Sequence, residues 1–238
     1  MVPEREVKNV NVFQRVEQKY VLTEEEYKKL FPRIKKNLVK DIYFRSTICN
    51  LYLDNEKNEM IIRSLEKPMF KEKVRIRSYN VPSIDDKVYL ELKGKFKGVV
   101  FKRRVKVRLK DLYQYLEDGT IPQNNNQQIM REIDYVIHKQ ELKPKIYIAY
   151  DRESYLDKDN KDFRVTFDSN LRSRRDNLKL EEGDFGSQYQ EEHIYIMEIK
   201  SLASIPLWFT KTLSELKIYP KSFSKYGNIY YKQLEEEY

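Results

Sequence analysis

Three neighbouring segments, 73–79 (KVRIRSY), 88–95 (VYLELKGK) and 100–109 (VFKRRVKVRL), alternate charged and apolar side chains. That period of two belongs to a β-strand, whose successive side chains point to opposite faces. Lys73, Arg75 and Arg77 therefore share one face, with Val74 and Ile76 on the other. Glu91, Lys93 and Lys95 oppose Leu90 and Leu92, and Lys102, Arg104, Lys106 and Arg108 oppose Phe101, Val105 and Val107. Later segments repeat the division: Arg152 against Ala149 and Asp151, Arg164, Thr166 and Asp168 against Phe163, Val165 and Phe167, Glu198 and Lys200 against Met197 and Ile199. Near the start, Arg15, Glu17 and Lys19 share a face. An ordinary antiparallel sheet would turn this charged face to water. Arg-x-Arg and Lys-x-Arg rows on neighbouring strands, however, bring like charges together at a cost. If the strands close into a barrel with the charged face inward, a bound polyanion and a metal ion supply the missing countercharge.

The positive charge is local. Residues 61–110 hold 16 Lys and Arg against 5 Asp and Glu, a net of +11, whereas the whole 238-residue chain carries +8. A concentrated field of this sign captures anions, so nucleotides, polyphosphate, RNA and acidic lipid are the partners to consider, beside a merely solvated basic face. The single Cys49 excludes an internal disulfide, and with only His138 and His193 it cannot form a dense His/Cys zinc site. There is no apolar run of the roughly 20 residues that span a bilayer and no signal-peptide pattern at the N-terminus, which predicts a soluble cytoplasmic protein. With 19 Tyr and 11 Phe spread along the chain, there is material for a core despite 35% charged residues.

A strand is expected from Phe13, followed by a capping box at Thr23–Glu26 and a helical segment that Pro32 interrupts. Further strands are expected at 46–55, 147–155, 162–171 and 193–201, and helices at 110–119, 129–142, from Pro206, and at 228–238. The stretch 181–192 reads as a flexible loop. Nothing divides the chain, which predicts a single α+β domain over 1–238.

Nine short motifs occur in order: Arg15-x-Glu17-x-Lys19-Tyr20, Leu51-Tyr52-Leu53-Asp54-Asn55, Lys73-Val74-Arg75-Ile76-Arg77-Ser78-Tyr79, Glu91-Leu92-Lys93, Lys102-Arg103-Arg104, Tyr150-Asp151-Arg152, Arg164-x-Thr166-x-Asp168, Met197-Glu198-Ile199-Lys200 and Ser222-Phe223-Ser224-Lys225-Tyr226. Together they resemble the VTC domain, the catalytic domain of the vacuolar transporter chaperone family, in its compact bacterial form. The resemblance implies a triphosphate tunnel (CYTH-like) fold: an antiparallel β-barrel lined with Lys, Arg and Glu, with helices at its ends and rim. It also implies a polyphosphate polymerase that transfers the γ-phosphate of ATP onto a growing phosphate chain with the help of Mn2+ or Mg2+.

Carried over residue by residue, Lys19, Arg75, Arg77, Lys93, Lys102, Arg152 and Arg164 resemble the family's phosphate ligands. Arg75, Arg77, Arg152 and Arg164 would hold the nucleotide phosphates. Glu198 resembles the metal ligand, with Glu17 and Glu91 as alternative carboxylates, and Lys225 the basic residue near the tunnel exit. The resemblance further implies ATP, polyphosphate or inorganic phosphate as partners and no specific nucleic acid. It places the work beside a membrane, with attachment through an integral-membrane partner. Hydrolases of the same fold resemble an E-x-E-x-K pattern on the first strand, where this chain has Arg15-Val16-Glu17-Gln18-Lys19. That replacement favours the polymerase over a triphosphatase, and Glu198 argues against a purely binding module.

Overall fold

The computed structural model describes residues 16–66, 69–97, 99–189, 193–202 and 204–236. The expected alternation appears as strands. In chain order, β1 (Val16–Thr23) leads into α1 (Glu24–Ile34), β2 (Leu38–Asp54) and α2 (Glu59–Leu65). Then come β3 (Phe70–Tyr79), β4 (Lys87–Phe96), β5 (Val99–Arg108), α3 (Leu109–Asp118) and α4 (Gln127–Lys139). The chain continues through β6 (Lys143–Asp157), β7 (Arg164–Arg174), β8 (Ser187–Gln188), β9 (Ile194–Ser201), α5 (Leu207–Glu215) and α6 (Lys225–Glu236). All strands join one antiparallel sheet in the order β1-β9-β7-β6-β2-β3-β4-β5, with β8 on β7.

The two faces of this sheet separate as their side-chain parity requires. One face is apolar and covered by helices in two patches. Cys49, Leu51, Val74, Ile76, Val88, Leu90, Val105 and Val107 pack with Leu112 of α3 and with Met130 and Ile133 of α4. Tyr20, Leu22, Val165, Phe167, Met197 and Ile199 pack with Leu30 and Ile34 of α1 and with Phe209 and Leu213 of α5. On the other face α6 lays Tyr226, Ile229 and Tyr230 against Ile48, Ile146, Ile148, Tyr150 and Ile196. The rest of that face carries the charged rows.

Several sequence expectations are corrected. The barrel is not closed: among the described residues β1 and β5 are edge strands with no pairing to each other. A chain segment takes up part of the β1 edge instead, because the Lys19 carbonyl accepts from the Lys221 amide at 2.8 Å. Pro32 does not interrupt α1, which runs on to Ile34. Only the last turn loses a hydrogen bond to the proline, and Leu30 and Ile34, both fully buried, pin that turn to the core. The helix begins as expected, with the Thr23 hydroxyl accepting from the Glu26 amide and the Glu26 carboxylate from the Thr23 amide.

Strand β2 starts at Leu38 rather than 46, its alternation hidden by a shift of register between Lys40 and Arg45. Helix α2 was not foreseen in the polar run after Asp54. It forms because the buried Asp54 carboxylate accepts from the Met60 and Ile61 amides, both at 3.0 Å. Helix α6 begins three residues before the expected Asn228. The 181–192 loop is tied down over its described part, where Arg174 donates to the carbonyls of Gly183 and Phe185. Residues 190–192, like Arg15 and the start of the first expected strand, lie outside the described residues.

Gly94 sits opposite Phe101 across β4 and β5. The Phe101 ring lies flat over it, so an added Cβ would fall 1.9 Å from the ring edge. Gly94→Ala is expected to cost about 1–3 kcal/mol through this overlap. Urea denaturation checks it: Phe101→Leu in the same chain should recover part of the loss, because the smaller side chain leaves the space free.

Candidate functional site: a basic channel

The charged side chains of β3, β4 and β5 line up in rows set by strand register. One row runs Tyr52, Arg75, Glu91, Arg104 across β2 to β5. Glu91 is its hub. Arg75 donates to its carboxylate through Nε and Nη2 at 2.9 and 2.8 Å, Arg104 Nε donates at 2.5 Å, and Lys102 Nζ lies 2.9 Å away. Only 1% of the Glu91 side chain is exposed. Burial alone would raise its carboxyl, but Arg75, Arg77 and Lys102 override burial and hold it far below the usual carboxylate range. Arg75 also donates to the Tyr52 hydroxyl at 3.0 Å. Burial pushes that phenol up, yet Arg75, Arg77 and Lys73 draw it down to about 8. In the row on one side, Arg77 donates to Asn50 Oδ1 at 2.8 Å and to the Tyr150 hydroxyl at 3.1 Å.

The row on the other side of Glu91 differs in kind. Lys73, Lys93 and Lys102 sit directly opposite one another across β3, β4 and β5. Like charges in register repel, and burial adds to the effect. Burial lowers Lys73 to about 8, with Lys71, Lys19 and Lys93 pushing it the same way against Tyr52. Burial also lowers Lys93, aided by Lys19 and Arg75 and opposed by Glu17 and Glu198. Lys19, Glu17 and Glu198 belong to β1 and β9, at the far end of the strand order. Lys19 and Lys73 reach adjacent residues, Phe223 and Ser224, so the sheet is curled enough for its two ends to face each other, although it is not closed.

The facing wall comes from β6, β7, β9 and β1. Arg152, opposite Asp168 in register, grips that fully buried carboxylate at 2.6 and 2.8 Å. Lys225, at the start of α6, reaches the same group at 2.7 Å. Burial would raise the Asp168 carboxyl, but Arg152 and then Lys225 keep it well below the usual range. Lys19 faces Glu198 across β1 and β9. Glu198 also lies 2.6 Å from Lys200. Burial works against its ionisation, yet Lys200, Lys19 and Arg152 hold it at about 2.

The segment before α6 straps the two walls together. Lys19 Nζ donates to the Phe223 carbonyl at 3.4 Å and Lys73 Nζ to the Ser224 hydroxyl at 2.9 Å.

Of the expected residues, Lys19, Arg75, Arg77, Lys93, Lys102, Arg152, Glu198 and Lys225 thus lie on the one concave face. Arg164 stands apart at the rim, its side chain half exposed and 3.2 Å from the buried Asp41. Sequence reasoning did not single out Asp168, Lys73, Arg104 or Lys200 for the site, although each shares strand parity with a residue that it did name. Glu91, an alternative metal ligand on sequence grounds, is instead saturated by three cations. Glu198 is an ionised oxygen donor of the kind Mg2+ or Mn2+ takes together with phosphate oxygens. The donor set fits such an ion only with a phosphate bound, because no cluster of three acidic, His or Cys side chains occurs among the described residues.

A curled antiparallel sheet whose inner face gathers Lys and Arg around a few buried carboxylates is the class of architecture that the chain presents. The VTC domain model matches residues 14–232, and the chain belongs to that family. Membership supports a polyphosphate-related role and is consistent with a fold of the triphosphate tunnel kind. Among solved structures, the chain is similar to the PH1819 protein from Pyrococcus horikoshii OT3, at 16% identity and a TM-score of 0.48 over 94% of this chain and all of that one. No curated protein matches it.

Glu91→Gln would leave Arg75, Arg104 and Lys102 without their carboxylate. Removing one partner of a buried charge cluster costs about 3–5 kcal/mol. Thermal unfolding should show that loss, and added tripolyphosphate should raise the melting temperature of the variant more than that of the unaltered chain, because a polyanion replaces the missing negative charge. Acid provides a second check. Glu198 is lowered from 4.5 to about 2 on folding. Its contribution to stability is full above pH 4.5 and is lost as the pH falls toward 2. In Glu198→Gln, acid titration followed by circular dichroism should show a shallower decline across that window.

Proposed function

We propose that the chain is a polyphosphate polymerase that moves the γ-phosphate of ATP onto the end of a polyphosphate chain held in the channel. The row Lys73, Lys93, Lys102 carries this reading. Lys102 already shares Glu91 with Arg75 and Arg104, and Lys73 and Lys93 stand in register with it without a carboxylate of their own, which leaves a surplus of positive charge that an extended phosphate chain neutralises.

Phosphoryl transfer asks for alignment of donor and acceptor and for stabilisation of charge on the transferred oxygens. Arg75 and Arg77 are fixed in place by Glu91, Tyr52, Asn50 and Tyr150, so their guanidinium groups are oriented before a phosphate arrives. Preorganised donors of this kind lower the barrier because they do not have to reorient during the reaction. Lys93 has no hydrogen-bond or ion-pair partner among the described residues, and it offers its ammonium group directly to a phosphate oxygen. Lys102 and Arg152 act from the two walls, and Lys19 and Lys225 from beside the strap. Arg164 would serve at the rim after release from Asp41. Glu198, with the phosphate oxygens, would hold Mn2+ or Mg2+, which when bound offsets negative charge on the phosphates. An anionic phosphate acceptor carries no proton that must be removed, so none of the channel residues is needed as a general base.

The test is to incubate the purified chain with ATP and Mn2+ and to resolve the products on a polyphosphate gel. A ladder of chains with matching ADP is expected, with a loss of about 10²-fold or more in Arg75→Ala. Free phosphate without chains would replace the polymerase by a hydrolase, and tight polyphosphate binding without turnover by a binding module.

A further inference from the structure

Among the described residues, the start of β3 and the adjoining ends of β4 and β5 form an exposed apolar tip. Met69, Phe96, Val99 and Val100 are 71%, 48%, 70% and 55% exposed, and Phe70 is 42% exposed. The tip is prebuilt. The Lys97 amide donates to the Met69 carbonyl at 2.9 Å. The Phe70 ring lies 6.3 Å from that of Phe96 and 6.4 Å from that of Phe101, which is itself seated on Gly94.

The register sets these side chains on both faces of the tip. Phe96 pairs with Val99 on the face that carries Phe70 and Phe101, while Val100 pairs with Lys95 on the opposite face. Around them stand exposed Lys95 and Lys97, the latter with its ammonium group 5.5 Å from the Phe96 ring. Residues 92–110 contain no Asp or Glu.

We propose that this tip inserts into the surface of an anionic lipid bilayer and docks the chain there directly. Apolar side chains on both faces of an exposed tip suit immersion, whereas a protein partner typically covers one face. Lysine is depleted at protein–protein interfaces. It is favoured beside anionic headgroups, where the aliphatic stem lies along apolar surface and the ammonium group stays at the headgroup level. Exposed aromatic and aliphatic groups with Lys95 and Lys97 beside them match the chemistry of interfacial anchors, and the nearest acid in register, Glu72 opposite Gly94, stands one pair further in on the Phe70 face. The next residues inward from Lys95 and Val100 on this face are Lys93 and Lys102, so docking would turn the lysine-row end of the channel toward the membrane.

The experiment is sedimentation of the full chain with phosphatidylcholine vesicles, with and without phosphatidylserine. Binding to the phosphatidylserine vesicles is expected, weakened roughly tenfold or more in Val99→Asp/Val100→Asp and again in Lys95→Glu/Lys97→Glu. Thermal stabilisation by tripolyphosphate should be unchanged in Val99→Asp/Val100→Asp, which shows that the variant is folded and its channel intact. Failure of the unaltered chain to sediment, or equal sedimentation of the tip variants, would overturn the proposal. So would complete release by tripolyphosphate, because headgroups would then be entering the channel instead of meeting the tip. Vesicle binding by the tip is separable from turnover in the channel, and loss of the polymerase reading would leave it standing.

Discussion

Glu91 is the group on which the basic face depends. Without a carboxylate among them, Arg75, Lys102 and Arg104 would be neighbouring cations on adjacent strands of one sheet, and β3, β4 and β5 would repel across their ladder. Glu91 reverses the sign of that interaction at one point and fixes the orientation of three side chains at once. Its burial makes the arrangement rigid. A carboxylate with 1% of its side chain exposed keeps its charge only while cations surround it, and the cations keep their geometry only while it remains ionised.

The open edges of the sheet follow from how the chain returns. A closed barrel would pair β1 with β5, but the segment before α6 reaches the Lys19 carbonyl of β1 through its backbone and touches Lys19 and Lys73 through Phe223 and Ser224, while Lys225 at the start of α6 reaches Asp168. Polar contacts thus span the gap between the two walls in place of ladder hydrogen bonds. Contacts of this kind can be exchanged for contacts to a ligand, whereas a ladder would have to be broken. The apolar side of α6 packs on the inner face beyond them and anchors the strap.

Much of this was legible in the sequence because side-chain parity is a local property. Alternation alone put Arg75 with Arg77, Glu91 with Lys93 and Lys102 with Arg104, and it separated Arg164, Thr166 and Asp168 from Val165 and Phe167 on the other face. What parity cannot give is register. That Arg152 lies opposite Asp168, or that Glu91 falls between Arg75 and Arg104, depends on strand order and on shifts such as the one between Ala149 and Asp151. The same limit hid the row that Lys73 forms with Lys93 and Lys102, because it is visible only after three strands are aligned. Helix α2 escaped because its start is capped by a residue of the preceding strand, Asp54, rather than by an N-cap side chain of its own. Arg164 was expected with the phosphate ligands on resemblance. Its pairing with Asp41 lies in the part of β2 that the broken alternation concealed.

Three buried carboxylates of the charged rows are outnumbered by the bases around them. Glu91 contacts three cations, Asp168 contacts Arg152 and Lys225, and Glu198 contacts Lys200 while facing Lys19. A face with equal numbers of each sign would be neutral and would hold an anion weakly. One with no carboxylates would leave long cationic side chains repelling one another and disordered. A minority of buried acids, each shared by two or more bases, orients the bases and leaves the face positive, so the remaining countercharge must come from whatever occupies the channel. The lysine row is where that deficit is greatest, since it has Glu91 on one side and no carboxylate in register of its own.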